Sequence, residues 1–132
     1  MTLGEYLTAA VRKHWEPGRH DCCTFAADWA LSWGCGDPMA EWRGRYRSDA
    51  GASRFVRQAG GLLELWQRGL ASIGIEGVND AIAGDVGVVR ALTAGGAEPV
   101  GAICLGRKWA FLAHDGVIFA PAVPLRAWGP RG

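Results

Sequence analysis

The spacing of apolar residues predicts helices in the first half of the chain and strands in the second. Apolar positions recur at helical spacing over residues 2–14 and 22–33, and two shorter helices are predicted over 53–59 and 62–70, separated by Gly60-Gly61. After Gly84 the period shortens to that of strands, which are predicted over 85–90, 100–105, 109–113 and 117–120. Residues 34–48 have no such period and are predicted to form a loop.

The positions of capping and turn residues agree with helices in the first half of the chain and strands in the second. Thr2 and Asp21 stand where helix N-caps belong, and Ser48 or Asp49 can cap the third helix. Gly95-Gly96 and Asp115-Gly116 are predicted to join strands, and residues 124–128 to pack on a sheet edge. The order predicts one α+β domain over residues 1–132, with a helical part at about 2–72 and an antiparallel sheet at about 84–128.

Composition narrows the class of protein. The chain has 132 residues, 49% of them apolar and 20% charged, as in ordinary soluble domains. A net charge of +1 gives no electrostatic case for a nucleic-acid partner. We expect no membrane span, since no apolar run reaches the roughly 20 residues that one needs, and no signal-peptide pattern is visible. Seven tryptophans predict a core or an interface rich in large rings.

Cys22 is the first candidate for chemistry. All four cysteines are predicted to be thiols, and Cys22 falls in the first turn of a helix that follows a Pro17-Gly18 loop. Unpaired N–H groups and the helix dipole at such a position favour a thiolate, and the same N–H groups can hold an oxyanion. The alternative is that Cys22 is a small core residue on an apolar helix face.

A cysteine nucleophile needs a base, and the chain has three histidines. His14 is predicted at the solvated end of the first helix. His20 precedes Cys22 by two residues, and His114 ends the third predicted strand beside Asp115. Either His20 or His114 could serve Cys22, and each could equally be an ordinary loop or turn residue.

Several stretches resemble the NlpC-type cell-wall peptidases, a papain-like superfamily. Residues 21–25, Asp-Cys-Cys-Thr-Phe, are similar to that family's nucleophile motif, Asp-Cys-Ser-Gly-Phe, and Gly84-Asp85-Val86 is similar to its first core strand. Residues 100–106 are similar to the Val-Gly-Ile-Tyr-Leu-Gly part of its second strand, and 109–114 to the strand with its third catalytic polar residue. The resemblance implies a papain-like fold, Cys22 as nucleophile, and no metal or organic cofactor.

The sequence departs from that family at the catalytic histidine. The family's histidine precedes the Val-Gly of the second strand, where this chain has Glu98 and then Pro99, and proline cannot act as a base. His114 is therefore the first candidate base and His20 the second. Asp21, His20 and Glu98 are candidates to orient the base or bind substrate. A site without activity is the third possibility.

A second set of motifs is spread along the chain: His20-Asp21-Cys22, Phe25-Ala26-Ala27-Asp28, Gly36-Asp37-Pro38, Arg43-Gly44-Arg45-Tyr46, Gly84-Asp85-Val86 and Ala127-Trp128. With this pattern, nearly the whole chain resembles a family of small proteins encoded among the tail genes of phages, prophages and gene-transfer agents. The resemblance implies a component of the virion's tail tip, with hub or distal tail proteins as partners.

Two functions follow from this resemblance. In one, a cysteine hydrolase opens peptidoglycan during cell entry. In the other, an inactive domain braces the tail tip through protein contacts, which the tryptophans and the low charge also favour.

Two other groups of residues could carry a function. A zinc site from His20, Cys22, Cys23 and Cys35 lacks the paired spacing typical of such sites. The loop at 42–47 alternates rings and arginines, and we expect its rings to pack inward and its arginines to face water. Its alternative role is contact with a phosphate or an acidic partner. Asp28 is predicted to pair with an arginine of that loop.

Overall fold

The computed structural model describes residues 1–93 and 96–131, and helices precede an antiparallel sheet in it. The helices of the described residues are α1 Leu3–Ala10, α2 Thr24–Leu31, α3 Asp49–Gln58 and α4 Leu62–Ser72. The strands are β1 Gly77–Val78, β2 Val86–Thr93, β3 Gly96–Cys104, β4 Trp109–Ala113, β5 Gly116–Ala120 and β6 Pro124–Trp128. The predicted α+β class is confirmed. No helix in the described residues is long and apolar enough to cross a membrane.

Side chains at the helix starts determine where α1 and α3 begin. The Thr2 hydroxyl accepts the N–H of Glu5, and the Glu5 carboxylate accepts the N–H of Thr2, which forms a capping box. The Ser48 hydroxyl accepts the N–H of Gly51, so α3 begins before the predicted residue 53. Both α1 and α2 are shorter than predicted, because the chain beyond each continues in tighter i→i−3 turns.

The strands lie in the order β1-β6-β2-β3-β4-β5, and every neighbouring pair is antiparallel. The predicted hairpin between β4 and β5 is confirmed, with His114 and Asp115 in the turn and Ala113 opposite Gly116. Gly95 of the other predicted turn lies outside the described residues. Residues 124–128 form β6, which pairs along the free edge of β2 as predicted, and the unpredicted two-residue strand β1 then pairs with β6. A strand of two residues, such as β1, is too short to show a period in the sequence.

Side chains that alternate along the strands form two buried clusters, one on each face of the sheet. The helices cover the face that carries Val86, Val88, Ile103, Ala110, Leu112 and Trp128. The opposite face carries Val89, Ala91, Val100, Ala102, Cys104, Trp109, Phe111 and Ala127. Strand β3 is buried on both faces from Val100 to Cys104, which makes it the central strand of the core.

Most of the tryptophan side chains are buried in the core. Five of the seven tryptophans are buried: Trp29, Trp42, Trp66, Trp109 and Trp128. The predicted ring-rich core is confirmed. The number of tryptophans therefore gives little support to a large protein interface.

The Gly84-Asp85 motif joins three parts of the fold at the start of β2. The Gly84 carbonyl accepts the Trp29 indole N–H from α2 at 2.8 Å. The buried Asp85 carboxylate accepts the N–H of Ile82 at 2.8 Å and the guanidinium of Arg131 at 2.6 Å. This motif connects helix, sheet and C-terminal segment through hydrogen bonds that satisfy a buried charge.

Candidate functional site

Asp21 shapes the turn that carries Cys22. Its Oδ1 accepts the backbone N–H groups of Cys23 and Thr24, at 2.9 and 2.8 Å, and the Thr24 hydroxyl accepts the N–H of Asp21 at 2.8 Å. Its carbonyl accepts the N–H of Phe25, which is the first helical i→i−4 bond. Asp21 therefore acts as the cap that the sequence predicts, although the regular helix begins only at Thr24.

The other carboxylate oxygen of Asp21 joins two loops. Its Oδ2 accepts the N–H of Gly18 at 2.8 Å and the hydroxyl of Tyr46 at 2.7 Å. Burial raises the pKa of Tyr46 far above its ordinary value, so this hydroxyl remains a donor. With four donors and 3% exposure, Asp21 is fully engaged in holding the turn.

Cys22 lies where this turn meets the central strand. Its side chain is partly buried and packs against both core clusters. A Cβ added to Gly101 of β3 would lie 2.8 Å from the Cys22 carbonyl oxygen and 2.6 Å from the Trp66 ring. Glycine at position 101 therefore lets the start of α2 touch β3. Within the described residues the N–H of Cys22 has no hydrogen-bond acceptor, unlike the two N–H groups that follow it.

The other cysteines have different surroundings. Cys23 is 4% exposed, and a hydrogen bond with the Cys22 thiol, together with burial, raises the pKa of Cys23 well above its ordinary value. Cys104 is buried and Cys35 is exposed. All four are free thiols, as predicted. Burial marks Cys23 as a core residue, whereas Cys22 keeps access to solvent.

His114 lies in an exposed cluster with two residues that the sequence did not connect to it. Its Nε2 is 2.9 Å from Oδ2 of Asp49, and its ring stacks on Trp15 with centroids 4.0 Å apart. Asp49 also accepts the Trp15 indole N–H at 3.0 Å. The hydrogen bond with His114 lowers the pKa of the Asp49 carboxyl. Because Asp49 is 65 positions from His114, no local sequence signal could reveal this pair.

His114 faces the helical side of the sheet without bonding to Cys22. Alternation along β4 after Ala110 and Leu112 places His114 on the helix-covered face, and Gly101 contacts Cys22 from that same face. The described residues show no hydrogen bond between His114 and Cys22, and the His114 side chain is 65% exposed. The candidate base His114 and Cys22 therefore lie on the same face of the sheet without a hydrogen bond between them.

His20 is enclosed by the loop before α2. It is only 7% exposed, and its backbone exchanges hydrogen bonds with that of Glu16 at 2.8 and 2.9 Å. Burial lowers the pKa of His20, and the nearby Lys13 lowers it further. Its Nε2 has no partner among the described residues. The second base candidate is therefore a neutral, enclosed ring that forms no hydrogen bond with Cys22.

Pro99 stands where the resemblance to NlpC-type peptidases would place a histidine, and it lies on the face of β3 that Cys22 touches. Pro99 of β3 pairs in register with Arg90, and it alternates with Gly101 on the helix-covered side. Glu98 pairs in register with Ala91 and falls on the opposite face, with Val100. That placement directs Glu98 away from the side of β3 on which Cys22 lies.

The loop at 42–47 follows the sequence prediction, with one addition. Trp42 and Tyr46 are buried, and Arg45 and Arg47 face water. Arg43 instead pairs with Asp28 at 2.8 Å and with Asp37 at 2.8 Å, which confirms the predicted partner of Asp28.

No group of three or more His, Cys, Asp or Glu side chains forms a metal site within residues 1–93 and 96–131. The residues of the zinc alternative are dispersed, since His20 and Cys23 are enclosed and Cys35 is at the surface.

The fold and the site define an α+β protein with an accessible cysteine held at a helix start against the central strand. The chain belongs to the family described as a domain of unknown function, DUF6950, whose model matches residues 1–129. Searches of curated proteins and of solved structures find no match.

Proposed function

We propose that this domain is an NlpC-type, papain-like cysteine hydrolase of a phage tail tip that cleaves peptide bonds of peptidoglycan. The observation that carries the proposal is the position of Cys22. Cys22 is partly exposed in the turn that leads into α2, and its own N–H, which has no acceptor within the described residues, can bind an oxyanion. The tail-tip setting is supported by the resemblance of nearly the whole chain to tail-gene proteins.

In this proposal His114 is the base and Asp49 orients it. When the Nε2–H of neutral His114 donates to Asp49, the lone pair of Nδ1 is left to accept a proton. The Asp49 carboxylate then stabilises the imidazolium that forms. His114 forms no hydrogen bond with Cys22 among the residues that the structure describes, so this role requires its ring to reach the thiol when substrate binds.

The chemistry is then two acyl transfers. The Cys22 thiol gives its proton to His114 while its sulfur forms a bond to the peptide carbonyl carbon, and the oxyanion accepts the N–H of Cys22. The C–N bond breaks as His114 returns the proton to the leaving amine. Water, deprotonated by His114, hydrolyses the thioester and releases the acid and the Cys22 thiol.

Alkylation with iodoacetamide from pH 5 to 9, with mass spectrometry to locate the label, tests the nucleophile. Cys35 is the matched control, since it is exposed and lies outside the site. We expect Cys22 to react faster than Cys35 below pH 7, and we expect digestion of peptidoglycan that Cys22→Ala abolishes. Labelling of Cys22 that is no faster than that of Cys35 at any pH would contradict the proposal.

A second candidate function, an inactive brace of the tail tip, is favoured by Pro99. Proline stands at the family's base position on the side of β3 that touches Cys22, while the ring of His114 is bonded to Asp49. The variant Pro99→His distinguishes the two functions. Position 99 is exposed, so it can accept the larger histidine ring. If the brace is correct, the wild type is inactive and this variant raises Cys22 reactivity. If the hydrolase is correct, the wild type already digests peptidoglycan.

A further inference from the structure

A cavity of about 430 Å³ lies between two loops near the start of α2. One loop contributes residues 16–19, and the other contributes Gly44, Tyr46 and Arg47. Its volume is within the range of about 300–1,000 Å³ that is usual for small-molecule sites. The proposed hydrolase chemistry does not use this cavity, since Cys22 is not among its lining residues.

Both walls of the cavity are held by hydrogen bonds to one buried carboxylate. Gly18 and Tyr46 each donate to Oδ2 of Asp21, one from each loop. Gly18 has a φ of +86°, and a Cβ at this position would lie 2.6 Å from the Tyr46 carbonyl oxygen, so only glycine permits this approach. The cavity is therefore bounded by loops in direct contact, which pre-organises it for a ligand.

The charges that line the cavity favour an anion. The lining includes two basic residues, Arg19 and Arg47, and one acidic residue, Glu16. Glu16 lies 3.8 Å from Arg19, and both side chains are more than 60% exposed, so this pair is weak. Arg47 forms no ion pair with any residue that the structure describes. One cation is therefore left without a partner at the rim.

We propose that this cavity binds the carboxylate or phosphate group of a small ligand, with Arg47 and Arg19 as the anion contacts. Guanidinium groups bind both kinds of anion through paired N–H donors. The occupied cavity would share Asp21 with the turn that carries Cys22, so a ligand here lies against the same scaffold as the thiol. This inference goes beyond the proposed hydrolase, because anion binding needs no reaction at Cys22.

Titrations of the ¹⁵N-labelled full chain at constant ionic strength test the proposal. The probes are inorganic phosphate and N-acetylglycine, with N-acetylglycinamide as the neutral control. We expect at least one anion to give saturable shifts of the Gly18 and Gly44 amides, and the neutral amide to give none. The probe that saturates identifies the anion as phosphate or carboxylate. Shifts that do not saturate mean an adventitious ion only and overturn the proposal.

Three variants assign the binding to the cavity. Arg47→Gln and Arg19→Gln each remove one guanidinium from an exposed position, so we expect the fold to persist and the affinity to fall at least fivefold. Arg107→Gln removes an exposed arginine from the turn between β3 and β4 and should leave the affinity unchanged. Equal losses in all three variants would show general charge attraction and overturn the site. Cys22→Ala should bind the anion as tightly as the wild type does. A failure of anion binding can therefore be distinguished from a failure of the proposed hydrolase activity.

Discussion

The loop before α2 and the β4–β5 turn both offer a histidine to Cys22, and they differ in burial. His20 is 7% exposed, and in its loop the buried Asp21 carboxylate receives four hydrogen bonds. The His114 side chain is 65% exposed and bonds to an exposed carboxylate, Asp49. The buried loop is thus a scaffold, whereas the turn keeps the His114 ring exposed to water.

This difference separates the residues that stabilise the site from those that could perform chemistry. A neutral buried imidazole resists protonation, because desolvation penalises its charged form. An exposed side chain in a turn can be changed at little cost to the fold. Changes in the loop should therefore alter stability strongly, and changes in the turn should alter reactivity with little effect on stability.

The largest effect is expected at Asp21. Asp21→Asn replaces one acceptor oxygen by a donor and removes the negative charge, so the Gly18 N–H loses its acceptor and the other hydrogen bonds of this side chain weaken. We expect the free energy of unfolding to fall by about 3 kcal/mol. Urea denaturation measures this change. Asp115→Asn, in the exposed turn, is the matched control and should shift stability by less than about 0.5 kcal/mol. A loss below about 1 kcal/mol for Asp21→Asn would mean that the loop is not the scaffold described.

Gly101→Ala should have the next largest effect. Its Cβ would meet the Cys22 carbonyl and the Trp66 ring at under 3 Å, so the start of α2 must move away from β3. We expect a loss of about 2 kcal/mol and faster alkylation of Cys22 in the folded protein. Gly4→Ala is the control, since the nearest atom to its added Cβ is 4.0 Å away. Unchanged stability in Gly101→Ala would refute the contact between Cys22 and β3.

Acidification should destabilise the loop through His20. Because its folded-state pKa is lowered, neutral His20 contributes stability that is fully present above its unfolded pKa of about 6.5. That stability is lost as pH falls through the folded pKa. Lys13 also lowers the pKa of His20, while a hydrogen bond with the Ala10 backbone, and then Asp21 and Asp28, oppose the shift. Urea midpoints from pH 7.5 to 5 should fall less in His20→Gln than in the wild type, and His14→Gln, which changes an exposed histidine, should behave as the wild type does.

The smallest stability change is expected in the exposed cluster. His114→Ala removes the main cause of the lowered Asp49 pKa, so this pKa should rise toward its ordinary value, as a ¹³C-detected carboxyl titration would show. In the wild type, the stability that Asp49 contributes is present above about pH 3.9 and is lost as pH falls through its folded pKa. At pH 7 we expect a change below about 1 kcal/mol, since both side chains are exposed. An unchanged Asp49 pKa would show that the pair does not persist in solution.

Sequence reasoning performed best where the interactions are local. Thr2, Asp21 and Ser48 cap the turns that the pattern assigned to them, because each bonds to N–H groups two or three residues away. The hairpin at His114-Asp115 was predictable for the same reason. The Asp49 partner of His114 was not, since α3 and the hairpin meet only through folding. The burial of His20 was also missed, because nothing in a polar loop sequence shows what will cover it.

The sequence by itself determined the α+β class, the cysteine at a capped helix start, and the proline at position 99. These properties depend on residue identity and on the period of apolar positions, which is two residues in a strand and 3.6 in a helix. Both can be read from a short stretch of sequence. Only the tertiary structure decided that β6 lies inside the sheet, that Gly101 meets Cys22, and that His114 bonds to Asp49. Each of these contacts joins residues far apart in the chain, and burial of a common core brings them together.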